Sequence, residues 1–153
     1  MILDANFLEF IECLNKNEAR FVLVGGYAVV LNGHNRSTGD LDIFIERTGE
    51  NIEKVLKAID DFGFGSIGFT KADLMDKDSL VQMGLAPIRI DILSDVDGIA
   101  FEETYKEARD YEEEGIKMKV IHVNQLIANK LTVGRKKDIA DVEALQNIIN
   151  KGK

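Results

Sequence analysis

The stretch that decides the fold is residues 21–46, FVLVGGYAVVLNGHNRSTGDLDIFIE. Phe21 to Val24 is a short apolar run stopped by Gly25-Gly26, and Tyr27 to Leu31 then reads as a short helix that Asn32-Gly33 ends. From Asp40 to Glu46 the residues alternate, with Leu41, Ile43 and Ile45 on one face of a strand and Asp40, Asp42 and Phe44 on the other. Two aspartates at i and i+2 on a strand project from the same face, close enough to hold a hard divalent cation such as magnesium. The Gly25-Gly26 turn has no side chains in the way, so its backbone N–H groups and the following helix N-terminus can approach a phosphate. Together these features describe a triphosphate cradle facing a metal site.

Working outward, Asp4 caps an expected helix in which Phe7, Phe10, Ile11 and Leu14 share a buried face, and Cys13 packs there rather than reacts. Ile52, Val55, Leu56, Ile59 and Phe62 recur at helical spacing up to Gly63. Residues 62–78 are glycine-rich and then polar, which predicts a loop leading to a strand at about residues 79–83, with Gly84 to Pro87 turning the chain back. Ile88 to Leu93 is a further strand, with Arg89, Asp91 and Leu93 on one face. The pattern then predicts a helix over residues 99–111, a strand over 116–122, a helix begun by Asn124, and a last helix over 137–149. Helices and strands mix throughout, so the expected class is α/β or α+β, a mixed central sheet flanked by helices in one domain spanning residues 1–153.

Composition agrees. The chain has 153 residues, 45% of them hydrophobic, which suits one domain with a proper core. Nineteen Lys and Arg stand against 27 Asp and Glu, a net charge of -8, so long nucleic acid is a poor substrate, although metal and a few local cations still allow a nucleotide. The single Cys13 forms no internal disulfide and supports no multi-thiolate zinc site, which favours a reducing, cytoplasmic setting. No window approaches the roughly 20 apolar residues needed to cross a bilayer, and residues 1–10 carry no cationic stretch ahead of an apolar run.

Gly25, Gly26, Asp40 and Asp42, with Asp91 in Ile90-Asp91-Ile92, resemble the signature of the DNA polymerase beta-like nucleotidyltransferase superfamily: a hydrophobic strand, Gly-Gly, an Asp-x-Asp strand, and a third carboxylate on a later strand. Arg36-Ser37-Thr38-Gly39-Asp40 is similar to the Arg-x-Thr-x-Asp lead-in of small bacterial abortive-infection-type nucleotidyltransferases. Leu126 to Lys130, followed by Gly134 to Asp138 and Asp141, is similar to their C-terminal motif. Residues 64–80 are unmatched, and choice of acceptor is expected there. The resemblance implies in-line attack by an acceptor hydroxyl on the α-phosphate of a nucleoside triphosphate, with pyrophosphate leaving. It also implies two Mg2+ ions, or Mn2+ in their place, held by Asp40, Asp42 and Asp91. By the same resemblance Gly25 and Gly26 contact the triphosphate, Lys130 neutralises it, and Arg36 serves the same end.

Plainer readings stand beside these. Lys130, Arg135, Lys136 and Lys137 also read as exposed cations at two helix ends, and Asp138 and Asp141 as acids favouring the dipole of the last helix. His34 and His122 lack metal-ligand spacing to each other. Asp95-Val96-Asp97-Gly98 lacks the remaining ligands of a calcium loop and reads as a turn and helix cap. Glu112-Glu113-Glu114 reads as a solvated helix end before Gly115. The acceptor, whether a small molecule, a protein or an RNA end, and the base preferred among ATP, GTP, CTP and UTP are not set by these residues. The rival expectation is a toxin–antitoxin or regulatory nucleotide-binding protein acting mainly through a partner chain. Small size favours it, because antibiotic-modifying members of the superfamily carry a further helical domain; a homodimer would supply the missing wall of the cleft.

Overall fold

The computed structural model describes residues 2–85 and 87–152. These residues form a six-stranded mixed sheet with seven α-helices and one short 3-10 turn, as the alternating strand and helix signals require.

Helix α1 (Ala5–Lys16) begins where the Asp4 side chain accepts from Asn6 N, and it buries Phe7, Leu8, Phe10, Ile11 and Leu14. Strand β1 (Phe21–Val24) is buried at every residue, as expected of four consecutive apolar residues in the middle of a sheet. It runs straight into α2 (Gly25–Leu31), so the expected glycine turn is itself the first turn of the helix. Strand β2 (Asp40–Ile45) returns antiparallel to β1, pairing Phe21 with Ile45 and Val24 with Asp42. Helix α3 (Gly49–Asp61), capped by the Thr48 hydroxyl, packs against α1 and buries Ile52, Val55, Ala58 and Ile59.

Strands β3 (Val81–Leu85) and β4 (Ile88–Leu93) form a hairpin, and β4 lies parallel to β2 with Asp42 opposite Asp91. Strand β3 starts two residues later than expected; of its expected turn, Ala86 lies outside the described residues, as do Met1 and Lys153 at the ends of the expected domain. Strand β6 (Ile116–Val120) lies parallel to β1 and carries β5 (Arg109–Glu113) at its outer edge, giving the order β3-β4-β2-β1-β6-β5. Helices α6 (Val123–Val133) and α7 (Lys136–Lys151) pack on each other, and α6 also meets α2.

Four expectations need correction. Residues 64–80 are more than a loop: they hold a 3-10 turn, Gly65–Ile67, and helix α4 (Lys71–Met75), started by a reciprocal capping box between Thr70 and Asp73. Helix α4 buries only Leu74, too little to leave a periodic signal. The helix expected over residues 99–111 stops early, as α5 (Phe101–Glu107), and the chain switches to β5. The reason lies downstream, where Glu114 and Gly115, both at positive φ, make a two-residue turn that pairs β5 with β6. Glu113 is therefore not solvated. It is buried, accepts from the backbone N–H groups of Ile2 and Leu3 and from the Tyr111 hydroxyl, and so ties the start of the chain to the sheet edge. Residues 95–98 do form a turn, with Val96 bridging Ile99, but the next helix is preceded by Ala100 and has no side-chain cap. His122, for its part, caps α6 through Nδ1. No helix among the described residues is long and apolar enough to cross a membrane.

Candidate active site

The C-terminal end of β1 and the starts of β2 and β4 meet at one edge of the sheet. Because Val24 pairs with Asp42, Gly25 leaves the strand directly beside the Asp42 carboxylate. Gly25 has φ +70°, and a Cβ there would stand 1.9 Å from Asp42 Oδ2. A Cβ on Gly26 would stand 2.2 Å from the Thr38 hydroxyl and 3.4 Å from an Arg36 nitrogen. Both glycines thus let the backbone close on the acids and on the lead-in to β2.

The parallel register of β2 and β4 sets Asp42 opposite Asp91 and Asp40 opposite Arg89. Burial, then the Asp91 and Asp40 charges, push the Asp42 carboxyl up to about 7. Asp91 is itself buried. Arg89 is half-buried and bridges the other two acids: its Nη2 donates to Asp40 Oδ2 at 2.6 Å and to Asp91 Oδ2 at 3.1 Å, and its Nε donates to Asp91 Oδ1 at 3.0 Å. No group of three acidic, histidine or cysteine side chains among the described residues is arranged as a ready metal cage. The donor set nevertheless suits a hard divalent ion: oxygen ligands only, from three carboxylates on adjacent strands, one of them, Asp42, held up to about 7 by burial and by the charges of the other two.

The acids open onto a cleft of about 220 Å³ whose far side is cationic, with Arg36, Lys130, Arg135 and Lys137 on its lining. Ligand pockets run to roughly 300–1,000 Å³, so this cleft suits a phosphate chain better than a whole nucleotide. Lys130 is buried, with Nζ 2.9 Å from Asp141 Oδ2 and 3.3 Å from Asp138 Oδ1. Arg36 forms a fork on Asp141 at 2.9 and 3.0 Å, and Arg135 donates through Nε to Asp138 at 2.7 Å. Burial alone would raise Asp138, but the bonds from Arg135 and Lys130 hold it below the usual carboxylate range. Lys137 is exposed and has no ion-pair partner among the described residues. A wider hollow of about 560 Å³, lined by Phe21, Tyr105, Tyr111 and Lys119 among others, lies toward the opposite end of β1. Asp40, Asp42 and the glycine pair are not in it, so size does not mark the chemically equipped site.

Gly25, Gly26, Arg36, Asp40, Asp42 and Lys130 all line the smaller cleft, and Asp91 stands behind it as the strand partner of Asp42. Asp138 and Asp141, read from sequence as helix-dipole acids, are instead the buried partners of Lys130, Arg36 and Arg135. Sequence reasoning missed Arg89 as a site residue, although its place two residues before Asp91 on one strand already set both on one face.

No curated protein matches the chain. Among solved structures, a candidate nucleotidyltransferase from Thermotoga maritima superimposes with a TM-score of 0.62 at 16% identity, covering 95% of this chain and 91% of that one, which establishes a shared fold. The sequence profile of the family described as nucleotidyl transferase of unknown function (DUF2204) matches residues 4–153. The chain belongs to that family of nucleotidyl transferases.

Proposed function

We propose that the chain moves a nucleoside monophosphate from a nucleoside triphosphate to a hydroxyl acceptor, with Asp40, Asp42 and Asp91 holding Mg2+, or Mn2+ in its place. The observation that carries this reading is the pairing of the buried Asp42 with Asp91 across β2 and β4, at the mouth of a cleft whose other side is cationic. Bound ions would neutralise charge on the reacting phosphate and make the acceptor hydroxyl easier to deprotonate. The remaining work falls to the chain. Gly25 and Gly26 offer unobstructed backbone to a triphosphate, and the α-phosphate would lie against the three carboxylates. Asp91, facing Asp42, would take the hydroxyl proton once the Arg89 guanidinium leaves its carboxylate.

Of the four cations lining the cleft, Lys137 is the one with no ion-pair partner among the described residues, so it is the first choice for the departing pyrophosphate. Arg36 and Arg135 sit at the same cleft, each held by a buried aspartate. Lys130 acts there mainly as the post between Asp138 and Asp141. We place the reaction in the cytoplasm, in keeping with the single cysteine.

A second reading, a regulatory or toxin–antitoxin protein that works through a partner chain or as a homodimer, draws on exposed apolar residues of the helices next to the cleft: Leu131 and Val133 on α6 and Ile139 on α7. The deciding experiment follows label from each α-labelled nucleoside triphosphate, with Mg2+ or Mn2+, into the protein, RNA and small-molecule fractions of a cell extract. Asp40→Asn serves as the control. Label entering one fraction with wild type alone supports transfer and names the acceptor class. No labelling despite nucleotide binding favours the partner reading.

A further inference from the structure

The guanidinium of Arg89 stands where a cation shared by two of the three acids would stand. One fork, Nε on Oδ1 and Nη2 on Oδ2, engages both carboxylate oxygens of Asp91, and the same Nη2 reaches across to Asp40 on the neighbouring strand. Strand register brings them together: Arg89 is the partner of Asp40 and lies two residues before Asp91, so all three emerge on one side of the sheet. Asp42 receives no such donor among the described residues. An ion of magnesium's size needs carboxylate oxygens at about 2.0–2.1 Å. While Nη2 lies 2.6 Å from Asp40 Oδ2 and 3.1 Å from Asp91 Oδ2, the guanidinium occupies the space between those two oxygens that a shared ion would take, and two cations at one point repel. The Arg89 side chain is 35% exposed, so it has solvent to swing into.

We infer that Arg89 is the resident counter-ion of the three carboxylates: it holds Asp40 and Asp91 in place before loading, and a divalent ion binds only by displacing it. Arg89 is thereby a positioning residue that sets the concentration at which the site fills. This inference rests on the divalent-ion reading of Asp40, Asp42 and Asp91 given above.

The test uses Mn2+ alone as the probe, with the free ion followed by electron paramagnetic resonance as it is added to the full chain. Wild type, Arg89→Met and Arg89→Lys are compared, and each is melted with and without Mn2+. The Met variant is expected to bind Mn2+ about tenfold more tightly than wild type, because three charge-assisted hydrogen bonds no longer have to be exchanged for bonds to water before the ion binds. Its melting temperature without metal falls, because the acids have lost their counter-ion, and recovers when Mn2+ is added. The Lys variant, which keeps the charge and loses the fork, is expected to bind with an affinity between those two, and carries the test if the Met variant does not fold. Equal or weaker Mn2+ binding by the folded variants overturns the inference, since Arg89 would then only orient Asp91 for the ion. Absence of Mn2+ binding in wild type and variants alike contradicts the divalent-ion reading itself, and this inference with it.

Discussion

The carboxylate of Asp42 fills the space that a side chain at position 25 would need: a Cβ on Gly25 would lie 1.9 Å from Asp42 Oδ2 and 2.9 Å from its Cβ. The two residues follow from one register, because Val24, the last residue of β1, pairs with Asp42. Gly25 also has φ +70°, a left-handed conformation that costs any other residue about 1–2 kcal/mol. Gly25→Ala should therefore leave the sheet intact by circular dichroism while displacing Asp42. Nucleotidyl transfer should fall roughly 100-fold, the usual consequence of moving a reacting group by about an ångström. Unchanged activity would show that Asp42 is not held against the glycine turn during the reaction.

The raised carboxyl of Asp42 gives the metal-free protein a pH signature. Asp42 ionises near pH 4 in the unfolded chain and at about 7 in the fold, so between those values the folded chain keeps a proton that the unfolded chain has released. Its contribution is most favourable below pH 4 and is lost as pH rises through 7, at about 1.4 kcal/mol per pH unit across the window. Asp42→Asn removes this dependence. Without metal the variant should melt above wild type at pH 8, by roughly 2–4 °C for each kcal/mol relieved, with the gap closing toward pH 4. Thermal melts of the two proteins across that range decide it; a constant gap would mean that Asp42 is not the titrating group.

Two lysines that line the same cleft should behave in opposite ways. Lys130 is buried between Asp138 and Asp141, so Lys130→Met leaves two buried carboxylates short of a partner and should destabilise the fold by about 3–5 kcal/mol. Lys137 is exposed and unpaired among the described residues, so Lys137→Ala should change stability by less than about 0.5 kcal/mol while weakening nucleoside triphosphate binding. Urea unfolding and calorimetric nucleotide titration of both variants separate the roles. A Lys130 variant of full stability with lost binding would reverse them.

Legibility in the sequence followed the length of the pattern. Strand β1 and the start of β2 were readable to the residue because a four-residue apolar run and a strict alternation have sharp ends. Helix α4 and strand β5 were not. The first is five residues long with one buried side chain, and the second continues the spacing of α5 until the Glu114-Gly115 turn pairs it with β6, a contact that local periodicity does not contain. That Asp40 and Asp42 come together was legible because strand alternation alone puts them on one face. The cations were only half so. Sequence shows that Arg36, Lys130 and Lys137 carry charge, but which charge is already spent depends on Asp138 and Asp141 folding back from α7. Glu113 shows the same limit, reading as one of three solvated acids until the chain's first residues arrive to bond it.

The most direct measurement is a crystal structure of the full chain with Mn2+ and a nucleoside triphosphate analogue that cannot be cleaved at the α-phosphate, with the metal located by its anomalous signal. Manganese is expected on Asp40 and Asp42 beside Asp91, with the phosphate chain running past Gly25 and Gly26 toward Lys137. Manganese absent from these carboxylates, or a triphosphate bound in the wider hollow near Tyr105 and Tyr111, would contradict it.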